Sequence, residues 1–113
     1  MTYDDTMPKE KLLLVNGSPR KGGNSDAVVD ILSDLFSSHG PSCESIYLRD
    51  YSISGCIGCE RCREKGECVG IKDDMQKLYP KIRGFRGLVL ISPAHNYNVT
   101  SWMKAFIDRF YCY

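Results

Sequence analysis

An α/β fold built on a doubly wound parallel sheet is what this sequence predicts, and three observations carry the prediction. Two short runs, Lys11-Leu12-Leu13-Leu14-Val15-Asn16 and Leu88-Val89-Leu90-Ile91, are apolar without alternation, as strands buried on both faces are. Between and after them lie stretches whose apolar residues recur at helical spacing. Strand, helix, strand, helix, strand, helix is the order of parallel βαβ units, whose crossovers are right-handed.

Residues 1–10 read as an N-terminal arm, and residues 11–113 as one domain. The first strand ends in Gly17-Ser18-Pro19, and a KGGNS loop follows. Val28, Ile31, Leu32, Leu35 and Phe36 then mark one face of a helix. Asn24 or Ser25 can cap its start, Asp26 suits the positive end of its dipole, and Gly40-Pro41 stops it. Cys43 to Leu48 reads as the second strand, and a cysteine-bearing loop over 55–70 follows it. Asp73-Asp74 opens a weaker helix over Met75 to Ile82, with Pro80 as its break or end. Gly84 and Gly87 flank the turn into the third strand, which Ser92-Pro93 ends. The last helix carries Val99, Trp102, Met103, Phe106, Ile107 and Phe110 on one face, which places Trp102 and Phe106 in the core.

The strand order expected from right-handed winding is 2-1-3, the beginning of a flavodoxin-like sheet with helices on both faces, a three-layer αβα arrangement. That sheet has about five strands, whereas three are readable here, so the last strands are expected to be missing from this chain.

Composition excludes several functions. The formal net charge of +1 gives no electrostatic basis for binding nucleic acid. No apolar run reaches membrane-spanning length. The start, MTYDDTMPKEK, lacks the apolar core of a secretory signal. A reducing cytoplasmic setting is therefore expected, where clustered cysteines are ligands or redox groups rather than disulfides. In that setting the sequon Asn98-Val99-Thr100 carries no meaning.

Two loops fall at the carboxyl ends of strands, where open α/β sheets bind ligands. The first joins the first strand to a helix N-terminus, whose free N–H groups and dipole favour an anion. Ser18, Asn24 and Ser25 can add hydrogen bonds, and Arg20 adds charge. The spacing matches neither a nucleotide-triphosphate P-loop nor a dinucleotide fingerprint. A plain βα loop rich in capping residues is the alternative. The second loop, Pro93-Ala94-His95-Asn96-Tyr97-Asn98, offers amides and flat rings suited to a planar heteroaromatic. No carboxylate near His95 in sequence marks it as a general base, and no catalytic acid or base is assigned.

The third feature is CIGCERCREKGEC. Cys56, Cys59 and Cys62 follow one another at two-residue spacing, and Cys68 follows after five more residues with Gly66 to turn the chain back. Four thiolates suit a [4Fe–4S] cluster or tetrahedral zinc. Zinc sites more often pair two couples across a longer gap, so the spacing leans toward a cluster, with free thiols or a redox pair as the remaining alternative. Arg61, Arg63 and Lys65 would partly offset an anionic cluster, or are ordinary solvated loop charges. Cys43 and Cys112 have no motif partners and read as small buried residues.

LLLVNGSPRKGGNS, CIGCERC…CVGIKDDM and LVLISPAHNYNVTSWMKAFIDR occur here in register. Together they resemble the NAD(P)H-dependent FMN reductase-like flavoproteins, and among them the iron–sulfur flavoproteins. The resemblance runs from Leu12 to Tyr113. It implies non-covalent FMN, with its phosphate on Ser18, Arg20, Asn24 and Ser25 and its isoalloxazine at Pro93 to Asn98. It implies a [4Fe–4S] cluster on Cys56, Cys59, Cys62 and Cys68, with NAD(P)H as an electron donor. Partners would be small-molecule or protein electron donors and acceptors, and further copies of the chain. The sequence departs from the pattern at His95, where the family has an aromatic residue, often Tyr, and in the two further strands. Three functions stay open on these residues: an electron-transfer flavoprotein, an NAD(P)H-dependent FMN or quinone reductase without a cluster, and a non-enzymatic zinc-stabilised or remnant domain.

Overall fold

In a computed structural model, which describes residues 11–113, the elements follow in the expected order. The arm at residues 1–10 lies outside the described residues. Strand β1 spans Lys11–Asn16, helix α1 Asn24–His39, strand β2 Ser42–Tyr47, helix α2 Met75–Arg83, strand β3 Gly87–Ile91 and helix α3 Ser101–Asp108. A single 3-10 turn, Leu48–Asp50, follows β2.

β1 lies in the middle and pairs parallel with both neighbours, giving the order β2-β1-β3. Leu14 stands opposite Ser45 on one side and Val89 on the other. Leu13, Leu14 and Val15 are fully buried, as an apolar run without alternation requires. β3 has a neighbour on one side only among the described residues, and Leu88 and Leu90 are exposed there. The core gathers Leu13, Val15 and Ile46 of the sheet with Leu48, Met75, Leu78, Tyr79, Met103 and Phe106.

Several expectations change. α1 buries Ser25 and Val29, while Val28, Ile31 and Leu35 of the expected face are exposed. The apolar stripe is wider than the sheet surface that three strands offer it. The N-cap of α1 is Gly23, with no side-chain cap, so Asn24 and Ser25 are its first helical residues. α2 runs through Pro80 to Arg83. A proline there forfeits one helical hydrogen bond, but Met75, Leu78, Tyr79 and Ile82 are all buried and hold the helix on the core. Trp102 is 40% exposed and faces a cavity, whereas Phe106 is buried as expected. Met103 and Ile107 hold their expected place on α3, whereas Val99 and Phe110 fall outside the helix, before its cap and after its end, though both still pack against the core.

Candidate functional site

The loop after β1 is shaped by Asn16, a fully buried amide at the strand's end. Its Oδ1 accepts the Ser18 N–H at 2.9 Å, and its Nδ2 donates to Asp26 Oδ1 at 2.8 Å. The Ser18 hydroxyl is used locally, donating to the Arg20 carbonyl and accepting the Arg20 N–H, both at 3.2 Å. Ser18 and Ser25 are buried, while Arg20 and Asn24 are exposed.

Arg20 lies across Gly23, where an added Cβ would stand 2.8 Å from Nε. Because Gly23 brings no side-chain cap, the first N–H groups of α1 stay free for an outside acceptor.

One further residue, in no motif of the sequence, completes this loop. Asp26 would place a carboxylate beside an incoming phosphate, but Arg49, from the turn after β2, neutralises it. Arg49 donates to Asp26 Oδ1 and Oδ2 at 3.0 and 2.8 Å and to the carbonyls of Ser18 and Arg20 at 3.3 and 3.1 Å. The bond from Arg49, and then the N–H of Gly22, holds the Asp26 carboxyl down at about 2.

The second loop joins the first through Thr100. Its hydroxyl donates to the Gly17 carbonyl at 2.7 Å and accepts the Met103 N–H at 3.1 Å, capping α3. Gly17 also donates its N–H to Ile91 at 2.8 Å. An added Cβ at Gly17 would meet Met103 Cβ at 2.8 Å, so only glycine allows this approach.

Between the loops lies a cavity of about 270 Å³, lined by Ser18, Pro19, Arg20, Gly23, Asn24, Ser25, Pro93, Ala94 and His95. All four expected phosphate residues and three of the six expected ring residues therefore share one cavity. Asn96, Tyr97 and Asn98 do not line it. They form a tight turn in which His95 and Asn98 exchange both backbone hydrogen bonds, at 2.7 and 3.1 Å. Asn96 and Tyr97 are left-handed there, with φ of 51° and 67°, the geometry of the hairpin turn that suits right-twisted strands. A left-handed Tyr is uncommon. The turn leaves the Tyr97 ring fully exposed.

A second cavity of about 280 Å³ is lined by Leu48, Tyr51, Ser52, Ile53 and Trp102.

FMN fits the first cavity in kind: uncapped helix N–H groups and Arg20 for a phosphate, and Pro93 to His95 opposite. In size it lies just below the ~300 Å³ lower end of ligand pockets.

The cysteine loop is held differently at its two limbs. Gln76 Nε2 donates to the carbonyls of Cys68 and Ile71 at 2.9 and 2.7 Å, and Arg83 to that of Gly66 at 3.1 Å. Gly66 has φ of 71° and turns the chain back as expected. Cys62 is buried in the core cluster, with Cys68 packed against it, whereas Cys56 and Cys59 are exposed. The backbone N–H of Arg61 lowers the Cys59 pKa, and burial raises that of Cys62. All six cysteines are free thiols.

Four thiols in one loop suit a four-thiolate centre chemically. In position they do not form one: among the described residues no three His, Cys, Asp or Glu side chains are grouped to hold a metal ion. Cys62 turns to the core, while Cys56 Sγ accepts the Gly58 N–H at 3.3 Å.

Comparison with known proteins agrees with this layout. The model of a family described as NADPH-dependent FMN reductase matches residues 10–112. An iron-sulfur flavoprotein of Archaeoglobus fulgidus is 37% identical over 99 residues, 88% of this chain and 44% of that protein. One from Methanosarcina thermophila is 29% identical over 88% of this chain and 51% of its own length. One from Clostridioides difficile is 31% identical over 87% and 44%. The chain thus spans about half the length of the curated relatives it matches. No solved structure matches. Among the described residues no helix is long and apolar enough to cross a membrane.

Proposed function

The chain belongs to the NADPH-dependent FMN reductase family, and on that premise we propose that it is an FMN-dependent electron-transfer oxidoreductase of the iron–sulfur flavoprotein kind. The observation that carries this reading is the cavity joining the loop after β1 to the loop after β3. Arg20 and the uncapped N-terminus of α1 would bind the phosphate. Arg49 would keep Asp26 from repelling it, and Pro93, Ala94 and His95 would flank the ring.

Cys56, Cys59, Cys62 and Cys68 would be the ligands of a [4Fe–4S] cluster, a reading supported by their spacing and by the relatives' names. When bound, FMN supplies two-electron and one-electron chemistry and a cluster one-electron chemistry, which together would join an NAD(P)H donor to a one-electron acceptor. The electron partners would be small molecules or proteins in the cytoplasm. The open edge of β3 suits a second copy of the chain.

A second reading, an NAD(P)H-dependent FMN or quinone reductase without a cluster, is favoured by the ungrouped thiols. Anaerobic purification followed by visible absorption, with iron, sulfide and zinc assays, decides. Flavin bands with iron and sulfide are expected. Flavin alone selects the second reading, and a colourless protein that does not bind added FMN overturns both.

A further inference from the structure

Two segments separated widely in sequence meet at one buried ion pair. Arg109, just past α3, has a fully buried side chain, and Asp73, just before α2, is nearly so at 8% exposure. Arg109 donates to Asp73 Oδ2 at 2.7 Å from Nη1 and to Oδ1 at 3.0 Å from Nη2. Burial opposes the charge on Arg109, yet the Asp73 carboxylate outweighs it and raises the pKa. Such a pair, once formed, is costly to break from one side.

The guanidinium also holds both ends of the cysteine loop. Nη1 donates to the Ser54 carbonyl at 2.8 Å and Nη2 to the Ile71 carbonyl at 3.4 Å. Asp73 Oδ2 accepts the Ser54 N–H at 2.8 Å, and Asp73 Oδ1 accepts the Met75 N–H at 3.0 Å. Ser54 stands two residues before Cys56, and Ile71 three after Cys68. The Tyr79 hydroxyl fixes the Arg109 backbone in turn, donating to its carbonyl at 2.7 Å. Among the described residues, Arg109 Nε is the buried side-chain nitrogen or oxygen without a hydrogen-bond partner. The fork is thus spent on the loop's neck and on Asp73.

We propose that Arg109 and Asp73 are positioning residues that clamp the neck of the cysteine loop and divide its thiols into an anchored pair, Cys62 and Cys68, and a free pair, Cys56 and Cys59. The inner limb continues from the clamp along Gln76 and Arg83, whose bonds to Cys68, Ile71 and Gly66 leave it little freedom. The outer limb's hydrogen bonds are exposed ones, from the Gly58 N–H to Cys56 Sγ at 3.3 Å, between Arg63 and Glu60 at 3.4 Å and of both of these with Tyr111, and its approach to the inner limb is Cys59 Sγ against Gly70, with Cys59 itself exposed. The division accounts for the ungrouped thiols. Closing a four-thiolate site would require the outer limb to swing in and the Cys62 thiol to turn out of the core. That role in loading a metal rests on the reading of the cysteines given above, whereas the clamp does not.

The test is alkylation of each cysteine with iodoacetamide, followed by mass spectrometry on the full chain. In the unaltered chain, Cys56 and Cys59 react at least roughly tenfold faster than Cys62 and Cys68, as local protection implies. Similar rates at all four overturn the division whether or not any variant folds. In Arg109→Lys, which keeps the charge but loses the fork, and in Asp73→Asn, Cys62 and Cys68 speed up about tenfold or more while Cys43 on β2 keeps its rate. Unchanged Cys62 and Cys68, or a rise shared with Cys43, overturns the clamp.

A cobalt(II) titration of the unaltered chain separates the two claims. No thiolate–cobalt absorption refutes the ligand reading and leaves the clamp to the labelling result. Where cobalt binds, Arg109→Lys weakens it by roughly 10- to 100-fold, as loss of an outer-shell partner does. Unchanged affinity overturns the positioning role.

Discussion

Arg49 grips both carboxylate oxygens of Asp26, at 3.0 and 2.8 Å, and with the same Nη1 two carbonyls of the loop after β1. One side chain from the turn after β2 thus sets both the charge and the shape of the candidate phosphate site. Arg49→Met removes the pair and leaves the Asp26 carboxylate unneutralised in the first turn of α1. A loss of about 1–3 kcal/mol is expected in urea unfolding, with weaker FMN binding by fluorescence quenching. Unchanged FMN affinity in a folded variant refutes the neutralising role.

The same pair gives a pH dependence. The Asp26 pKa is depressed in the folded chain, to about 2 from an ordinary 3.8. Its contribution is complete above the ordinary value and is lost as the pH falls through the folded one. Asp73 and Asp74 are also lowered, and so add with the same sign. Thermal stability is therefore expected to drop from about pH 4 toward pH 2. Asp26→Asn should be less stable at neutral pH and show a shallower drop. An equally steep profile in that variant would exclude Asp26 as a source.

Gly23→Ala separates binding from folding. The new Cβ would displace Arg20 Nε and Nη2, the free end of an exposed side chain, so the fold gives way cheaply. FMN affinity should fall by about tenfold, the worth of a charge-assisted phosphate bond, while the unfolding midpoint stays near that of the unaltered chain. Arg20→Ala should give the same loss. Tight FMN binding in both would remove Arg20 from the phosphate site.

At Thr100 one hydroxyl serves two loops. Thr100→Ala loses the cap of α3 and strands the buried Gly17 carbonyl, and about 1–3 kcal/mol is expected. Thr100→Ser keeps the oxygen and should recover most of it. Gly17→Ala should cost a similar amount by driving a methyl against Met103 Cβ. Denaturant midpoints for the three variants check the ranking.

What could be read from the sequence was local. β1 was legible because a run without alternation needs cover on both faces, and Leu13, Leu14 and Val15 have it. The two candidate loops were legible because strand ends in such sheets face the same crevice. Arg49 with Asp26, and Arg109 with Asp73, were not. Each pair bridges more than twenty residues and leaves no periodic trace. The α1 stripe misled because spacing reports which residues share a helix face, not how much of that face a neighbour covers. Likewise Trp102 shares a stripe with Phe106 but falls at its margin, beside a cavity.

β3 has one further consequence. Its outer line of N–H and C=O groups has no strand beside it among the described residues, and Leu88 and Leu90 flank that line. Such an edge is adhesive, and adhesion of this kind is directional. Among the described residues the sheet has two such seams, the outer lines of β2 and β3, so crowding would string chains together edge to edge before it clumped them. Whatever strand lies along β3 acts as the stopper at its seam.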